Sequence, residues 1–277
     1  MMNLLRRVAS LPGLRAVLLQ PQIRKIVASI LALRFLRAAF LTTSPVRFIV
    51  ADLVTSRGRI RTWPLRRGNT ITLMHGRDIE AFHELMVGGE YEPPAELRAR
   101  LDQSTNILDL GGNIGMFAHW AHYRWPSARI TSFEPEPENL RIFRASLTPD
   151  LPIDLVEAAA MTRSGHAVLG LGSGAGRQVV FRDDPTTDSM PAVDIFDFLV
   201  SADFVKMDIE GGEWPILQDS RLADLGPMVW VIEFHRSGAP SLPARDAAAQ
   251  LFTQAGFTVG HETLNHWGHG TLWAWKD

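Results

Sequence analysis

The chain of 277 residues is long enough to bury one large core or two smaller ones. With 46% hydrophobic and 21% charged residues, its composition is that of a soluble globular protein. No cysteine is present, which excludes disulfides, thiolate catalysis and cysteine-ligated zinc sites.

Charge is distributed unevenly along the chain. Residues 1–70 hold thirteen Lys or Arg and one acid, Asp52, a net charge of +12, whereas the other residues hold fifteen basic and twenty-nine acidic side chains, a net charge of −14. Residues 1–45 alternate apolar residues with arginine and predict a basic amphipathic helical extension. The longest uncharged apolar stretch there, residues 26–33, is too short to span a bilayer, and no secretory signal is expected.

Two interpretations of this extension remain open. In one it docks on an anionic membrane surface, to which each nearby basic residue adds about 1 kcal/mol. In the other it packs as a helical cap and turns its arginines to solvent. Nucleic-acid binding is not expected, because the segment lacks interleaved aromatic side chains and a known reader motif. We therefore expect a cytoplasmic protein, with peripheral membrane contact through residues 1–45 as one of the two interpretations.

Residues 46–95 predict a small β/α cap region. The runs 47–50 and 60–63 are rich in β-branched and aromatic residues and predict a hairpin or meander. Residues 78–87 have apolar side chains at helical spacing, followed by a double glycine that stops the helix. A Pro-Pro pair at residues 93–94 then marks the entry to a main domain that covers residues 96–277.

The main domain alternates predicted strands with predicted helices. The strands are placed at residues 106–110, 129–133, 153–158, 204–208 and 228–234, and the helices at residues 114–123, 137–146, 195–199, 213–219 and 244–255. A hairpin is predicted at residues 167–171 and 178–181, and two closing strands at 257–262 and 270–275. This order predicts an α/β fold, with a doubly wound, mostly parallel sheet and an antiparallel pair at its C-terminal edge. Ligands of such sheets bind beyond the carboxyl ends of the strands.

A glycine-rich turn follows the first strand of this domain, in the run Asp109-Leu110-Gly111-Gly112-Asn113-Ile114-Gly115. Its glycines let the backbone approach a ligand closely, and the next helix points its N-terminus at that ligand. Glu134, at the end of the following strand, lies where an acidic side chain accepts the ribose hydroxyls of a nucleotide-type cofactor. A dinucleotide fingerprint needs glycines at the first, third and sixth places, where this chain has Gly, Asn and Met. Nicotinamide or flavin binding is therefore not favoured.

A second polar group lies at the end of the fourth strand. Lys206, Asp208 and Glu210 occupy alternate positions, which on a strand would turn their side chains to the same side. Charges on so apolar a strand are costly unless they pair or serve a site. One interpretation places the acceptor of a transferred group here. The other is an ion-pair network in which Lys206 pairs with Glu210 or Glu213 and merely fixes the turn.

The two motifs, Asp-x-Gly-Gly-Asn-x-Gly and Lys-x-Asp-x-Glu-Gly-x-Glu, together resemble the FkbM family of class I S-adenosylmethionine-dependent methyltransferases. The likeness covers about residues 70–275 and includes the run Val-Ile-Glu-Phe-His that ends at His235. One departure is Gly112, where related sequences often carry Ala. The resemblance implies a Rossmann-like fold, S-adenosylmethionine as cofactor, and methyl transfer to a hydroxyl on a sugar, glycan, lipid or natural product.

These observations assign roles to specific residues. Cofactor binding is assigned to the glycine-rich turn and the residues after the second and third strands, namely Asp109, Gly111, Gly112, Asn113, Gly115, Glu134, Pro135 and Glu157. Asp208 is expected to act as base or polar anchor, with Glu210, Lys206 and His235 as helpers. A divalent metal ion, held by oxygen-rich ligands among Asp208, Glu210, Glu213, Glu233 and His235, is not favoured. The alternative function is a catalytically silent cofactor-fold module that its basic N-terminus recruits to a membrane or a partner.

Overall fold

The computed structural model describes residues 36–54, 59–66, 69–170, 179–240, 243–263 and 270–277. The chain forms two compact units, residues 1–90 and residues 91–277. Most of the predicted basic extension, residues 1–35, lies outside the described residues, as do residues 171–178 of the predicted hairpin. Among the described residues, no helix has the length and apolar character needed to cross a membrane.

The first unit combines short helices with one β-hairpin. Its described elements are a helical segment at residues 36–41, helix α1 (Pro45–Val54), strands β1 (Ile60–Pro64) and β2 (Thr70–Met74), and helix α2 (Ile79–His83), which continues as a π-helical turn (Glu84–Gly88). The two strands pair antiparallel, with Thr62 opposite Thr72. Phe48 lies at the centre of the core, with the rings of Trp63, His75 and Phe82 at centroid distances of 5.0, 5.3 and 5.7 Å.

The strand predicted at residues 47–50 is wrong, because this run lies inside α1. Phe48 and Ala51, three residues apart, are both buried, as expected for one face of a helix. The aromatic core that Phe48 joins therefore outweighs the β propensity of the run Arg-Phe-Ile-Val.

The second unit contains a seven-stranded sheet and a separate four-stranded sheet. The strands are β3 (Asn106–Leu110), β4 (Arg129–Phe133), β5 (Ile153–Val156), β6 (Ala159–Met161), β7 (Gly165–Leu169), β8 (Val179–Arg182), β9 (Met190–Asp194), β10 (Phe204–Met207), β11 (Met228–Phe234), β12 (Thr258–Glu262) and β13 (Gly270–Lys276). The helices are α3 (Ala95–Leu101), α4 (Met116–Arg124), α5 (Pro137–Arg144), α6 (Phe196–Leu199), α7 (Glu213–Leu217) and α8 (Ala244–Gln254), with a 3-10 helix (Ser220–Asp224).

The large sheet has the order β12-β13-β11-β10-β3-β4-β5. Five consecutive strands of this sheet, from β11 to β5 in this order, run parallel to one another. At the other edge, β13 pairs antiparallel with both β11 and β12. The predicted fold class, a doubly wound, mostly parallel sheet with an antiparallel C-terminal edge pair, is confirmed. The chain leaves β3 toward β4 and β5 and later returns to β10 on the other side of β3. The order of strands therefore reverses between β3 and β10, which is where ligands bind in such sheets.

Both faces of the sheet are buried, and alternate residues of each strand belong to different faces. Leu108 and Val205 join the large hydrophobic core on one face. On the other face Phe204 contacts Phe117 and stacks on Trp273, with ring centroids 6.1 and 5.9 Å apart. Continuous apolar strands are expected where helices and loops cover both sides of a parallel sheet.

The four-stranded sheet has the order β6-β9-β7-β8. The predicted hairpin is confirmed in its described part, since β7 and β8 pair antiparallel. The predicted strand 153–158 is shorter in the structure, since β5 ends at Val156, and neither β6 nor β9 was predicted. Pro191 lies in β9 although this strand is paired on both sides, and a proline there argues against a strand in a sequence pattern.

The loops that follow β3 and β10 touch at the reversal point. Gly111 adopts φ +86°, and a Cβ added there would overlap the carbonyl oxygen of Asp208. The amide of Asp208 in turn donates to the carbonyl of Leu110 at 2.9 Å. Only glycine satisfies both the left-handed backbone and the close approach.

We expect Gly111→Ala to lower the free energy of unfolding by about 2 kcal/mol or more, because the substitution combines backbone strain with a clash against main chain. Urea denaturation would measure the change. Gly226→Ala is the matched control, since an added Cβ there meets no atom within 4 Å. Equal stability of the two variants would contradict the close approach of the loops.

Candidate active site

Three polar side chains form a row across the centre of the sheet. Ser132, Asp109 and Lys206 are in register on the neighbouring strands β4, β3 and β10. Ser132 Oγ donates to Asp109 Oδ2 at 2.6 Å, and Lys206 Nζ lies 3.2 Å from Asp109 Oδ1. Nζ also donates to the carbonyl of Gly111 at 2.8 Å. The row therefore connects three strand ends to the glycine-rich turn.

Lys206 stays charged although its side chain is only 5% exposed. Burial opposes the charge, but the neighbouring charges of Asp109, Asp208 and Glu233 raise the pKa of Lys206 above its usual value. The Nζ atom also lies 5.9 and 5.8 Å from the ring centroids of Tyr91 and Phe117, which suits a cation. In one of the two interpretations of the sequence Lys206 pairs with Glu210 or Glu213, whereas in the structure it pairs with Asp109.

The predicted alternation of Lys206, Asp208 and Glu210 on one strand is wrong. Strand β10 ends at Met207, and Glu210 adopts φ +54° in the loop. Of the three residues, only Lys206 therefore lies in the strand, where side chains alternate between the two faces. The two acids after it turn toward the end of β11 instead.

Glu134 fixes the glycine-rich turn from the side of β4. Its Oε2 accepts the amide of Asn113 at 2.7 Å, and its Oε1 accepts the amide of Glu136 at 2.8 Å and Asn139 Nδ2 at 3.3 Å. Burial raises the pKa of Glu134 to about 7, although these hydrogen bonds favour the charged form. The carboxylate is therefore oriented before any ligand arrives.

The turn itself is closely packed against β4 and α5. A Cβ added at Gly112 would overlap Ser132 Oγ and lie 3.1 Å from the ring of Phe143. Gly112, the departure from the family pattern, is thus required by its neighbours in this chain. Gly115 also packs on Phe143, with φ +87°.

The residues fit a nucleoside-type cofactor at the reversal point. A carboxylate offers about four acceptor positions. Three of those on Glu134 are used within the chain, which leaves acceptor capacity for a ribose hydroxyl. Pro135 follows Glu134 and precedes α5. Glu157 differs from the rest of the assigned set, because its exposed side chain hydrogen-bonds Arg144 on the surface.

A second cluster lies where the loop after β10 meets the end of β11. The fully buried Glu213 accepts three hydrogen bonds, from the amide of Gly211 at 2.8 Å and from the amide and Nδ1 of His235 at 2.7 and 3.1 Å. These bonds aim His235 Nε2 at Glu210 Oε2, 3.4 Å away, and at Asp208 Oδ1, 3.9 Å away. The sequence predicts His235 as a helper of Asp208, and in the structure the two side chains lie close together.

The electrostatics of this cluster favour a cationic imidazole. Burial opposes it, but the hydrogen bond and charge of Glu213, with the charges of Asp208 and Glu210, raise the pKa of His235 to about 9. Burial and the charge of Asp208 raise the pKa of Glu210. In the free chain His235 is therefore a proton donor and a positive charge at neutral pH, not a base.

Asp208, Glu233 and His235 have ligand atoms within 4.8 Å of one another, the one such group among the described residues that suits a metal ion. Glu233 Oε1 also accepts the hydroxyl of Tyr91 at 2.7 Å. A metal ion that binds His235 would have to displace a proton from the imidazole. Glu213, Asp208 and Glu210 stabilise that proton because they raise the pKa of His235. The geometry therefore matches an ion-pair network at least as well as a metal site.

Sequence reasoning missed Ser132 and Tyr91 as supports of the site. A signal for Ser132 was present, because Ser132, Asp109 and Lys206 each occupy the penultimate position of an otherwise apolar strand end. Polar residues at equivalent positions of neighbouring parallel strands lie side by side. Tyr91 lies far from Glu233 in sequence and gave no such signal.

No curated protein sequence matches the chain. The solved structure of precorrin-6y C5,15-methyltransferase from Geobacter metallireducens GS-15 is 20% identical, covers 66% of this chain and 88% of that chain, and gives a TM-score of 0.39. The O-methyltransferase TomG from Streptomyces achromogenes, in complex with SAM, is 18% identical, covers 65% of this chain and 76% of that chain, and gives a TM-score of 0.40. Human N-acetylserotonin methyltransferase, in complex with SAM, is 16% identical, covers 65% of this chain and 50% of that chain, and gives a TM-score of 0.35.

The family assignment comes from sequence and not from these distant structures. The family model described as Methyltransferase FkbM domain matches residues 109–259, which is more than half of the chain. The matched region begins at Asp109 of the glycine-rich turn and contains Glu134, Asp208 and His235. The chain therefore belongs to the FkbM methyltransferase family and is an S-adenosylmethionine-dependent methyltransferase with a class I, Rossmann-like fold.

Proposed function

We propose that this methyltransferase transfers the methyl group to a hydroxyl oxygen of a small molecule, on a sugar, glycan, lipid or natural product. The observation that supports this acceptor class is the state of Asp208. Its Oδ1 is buried and has no hydrogen-bond partner among the described residues. A buried carboxylate oxygen without a hydrogen bond is costly unless a nearby charge, such as that of His235 at 3.9 Å, or a ligand compensates it.

Asp208 is also accessible to an acceptor, because its side chain is 28% exposed. It lies beside Gly111 of the cofactor turn, so an acceptor bound to it would be close to the methyl donor. Bound S-adenosylmethionine would supply an electrophilic methyl group, whose bond to sulfur breaks as the neutral thioether leaves. Asp208 takes the proton that the acceptor hydroxyl releases as its oxygen forms the bond to the methyl carbon.

The remaining charged residues hold Asp208 in place and set its surroundings. His235 presents a positive charge to Asp208 and Glu210, which attracts both carboxylates and holds them near the cofactor turn. Lys206 fixes the carbonyl of Gly111 and so the cofactor turn. A carboxylate base suits a hydroxyl acceptor, since a neutral amine is nucleophilic without prior loss of a proton.

Cofactor binding is proposed for Asp109, Gly111, Gly112, Asn113, Gly115, Glu134 and Pro135. Glu134 accepts a ribose hydroxyl, and the glycines allow the turn to approach the cofactor closely. Glu157 is left out of this set because its side chain is directed at Arg144.

We also propose a cytoplasmic location with peripheral membrane contact through residues 1–45. The support is the basic excess of this part of the chain, since the cytoplasmic leaflet of membranes is anionic.

We expect Glu134→Gln to weaken S-adenosylmethionine binding by about tenfold or more, because a hydrogen bond to a charged acceptor is lost. Wild-type affinity should fall as the pH is lowered through about 7, where Glu134 gains a proton and loses acceptor capacity, and the Gln variant should lack this dependence. Calorimetric titration from about pH 6 to about pH 8, one unit on either side of the raised pKa of Glu134, would measure both the loss of affinity and its pH dependence. Glu157→Gln is the control and should bind normally. Normal binding by Glu134→Gln would remove the assigned role.

We expect Asp208→Asn to lower methyl transfer by about 100-fold or more while S-adenosylmethionine affinity stays nearly unchanged, because only the proton acceptor is lost. Formation of S-adenosylhomocysteine would first be screened with hydroxylated sugars, glycans and lipids and with amines, with and without magnesium. Asp197→Asn changes an exposed aspartate and should keep full activity. Full activity of Asp208→Asn would contradict its role as base. Cofactor binding without transfer to any acceptor would favour the silent module instead.

A further inference from the structure

Exposed apolar side chains are concentrated in the first unit. Large apolar residues are exposed at six described positions, and four of these lie within residues 36–50. They are Leu36, Phe40, Val46 and Val50, which are 40%, 57%, 71% and 50% exposed. Single exposed apolar residues are ordinary on a protein surface, whereas a local group of them marks an interaction site.

The four residues follow one pattern on two helical segments. Leu36 and Phe40 are four residues apart on the segment 36–41, and Val46 and Val50 are four apart on α1, so each pair lies on one face of its helix. In each segment an exposed arginine, Arg37 or Arg47, directly follows the first apolar residue.

The opposite faces of both segments are buried. Ala38 and Ala39 in the first segment, and Phe48 and Ala51 in α1, are at most 3% exposed. Each segment is therefore anchored to the first unit on one side and presents apolar side chains with arginine on the other.

The stretch of chain that carries these two segments is predominantly basic. Between residues 36 and 66 the single acid is Asp52, and it lies 3.2 Å from His75 Nδ1. Arg66 reaches the C-terminal end of the first segment, where its Nε donates to the carbonyl of Phe40 at 2.7 Å. A partner of these exposed faces must accept apolar side chains and neutralise arginines at once.

We propose that the exposed faces of these two segments, one with Leu36, Arg37 and Phe40 and the other with Val46, Arg47 and Val50, dock together on an anionic lipid surface. Apolar side chains inserted at the headgroup boundary, with cations at the phosphate level, are how amphipathic helices bind such surfaces. A second copy of this chain is a poorer occupant, because a two-fold symmetric contact would oppose arginines with arginines. This inference deepens the membrane contact proposed above and does not depend on methyl transfer.

The test is vesicle sedimentation of the full chain, with phosphatidylcholine vesicles that contain or lack phosphatidylserine. The variant Leu36→Gln/Phe40→Gln/Val46→Gln/Val50→Gln removes the apolar side chains but keeps every charge and good helix formers. The control variant Val180→Gln/Val200→Gln changes the two exposed apolar residues of the second unit. We expect the quadruple variant to bind phosphatidylserine vesicles about tenfold more weakly or worse, and the control variant to bind like wild type.

Salt separates the electrostatic contribution of the arginines from the contribution of the apolar side chains. At about 1 M salt the Debye length falls to about 3 Å, so only the electrostatic contribution is screened. Wild-type binding should weaken at this salt concentration and should be lost in vesicles of phosphatidylcholine alone. Equal binding of wild type and the quadruple variant would overturn the proposal, as would no binding by wild type.

Further outcomes identify another occupant and would equally overturn the proposal. A dimer in light scattering that only the quadruple variant loses would assign these faces to a second copy. A lower melting temperature of that variant, with unchanged lipid binding, would show that these faces are covered within the chain. S-adenosylmethionine titration of the same samples is independent of docking, so failure of docking is distinguishable from failure of the proposed activity.

Discussion

Two opposite charges, Lys206 and Asp109, lie 3.2 Å apart inside the second unit, with side chains 5% and 0% exposed. Desolvation makes such a pair expensive, and loss of one partner leaves an uncompensated buried charge. The pair can form only if β3 and β10 are neighbours in the observed register. Because Lys206 also holds the carbonyl of Gly111, and Ser132 holds the second oxygen of Asp109, the position of the cofactor turn depends on this contact.

Two buried glutamates position the loops of the site, as the buried Lys206–Asp109 pair positions the cofactor turn. Glu134 accepts main-chain amides on both sides of the cofactor cleft, from Asn113 and Glu136. Glu213 does the same for the loop after β10 and the end of β11, through Gly211 and His235. Loops at strand ends lack ladder partners for their amides, and a buried carboxylate supplies acceptors of greater strength than a neutral group. The site is thereby oriented without a bound ligand.

The sequence predicted the fold more completely than the contacts of the site. Strands β3, β4 and β11 have the predicted bounds, and β3 and β11 in particular are largely apolar runs. The helix at residues 47–50 was missed because packing of Phe48 outweighs local propensity, and β9 was missed because of Pro191. Motif spacing brought Asp109, Glu134, Asp208 and His235 to one edge of the sheet. It did not give the partner of Lys206, since β10 ends at Met207 and Glu210 lies beyond it in the loop, at positive φ.

The charge of the site also bears on the cofactor. Carboxylates outnumber the two cations Lys206 and His235, and the pKa values of Glu134 and Glu210 lie above their usual range, with burial as the main cause. A positive ligand relieves such a site, because it favours the charged form of each nearby carboxyl. S-adenosylmethionine carries a sulfonium charge, and the thioether product of methyl transfer does not. We therefore expect the excess of carboxylates to favour the positively charged methyl donor over its neutral product.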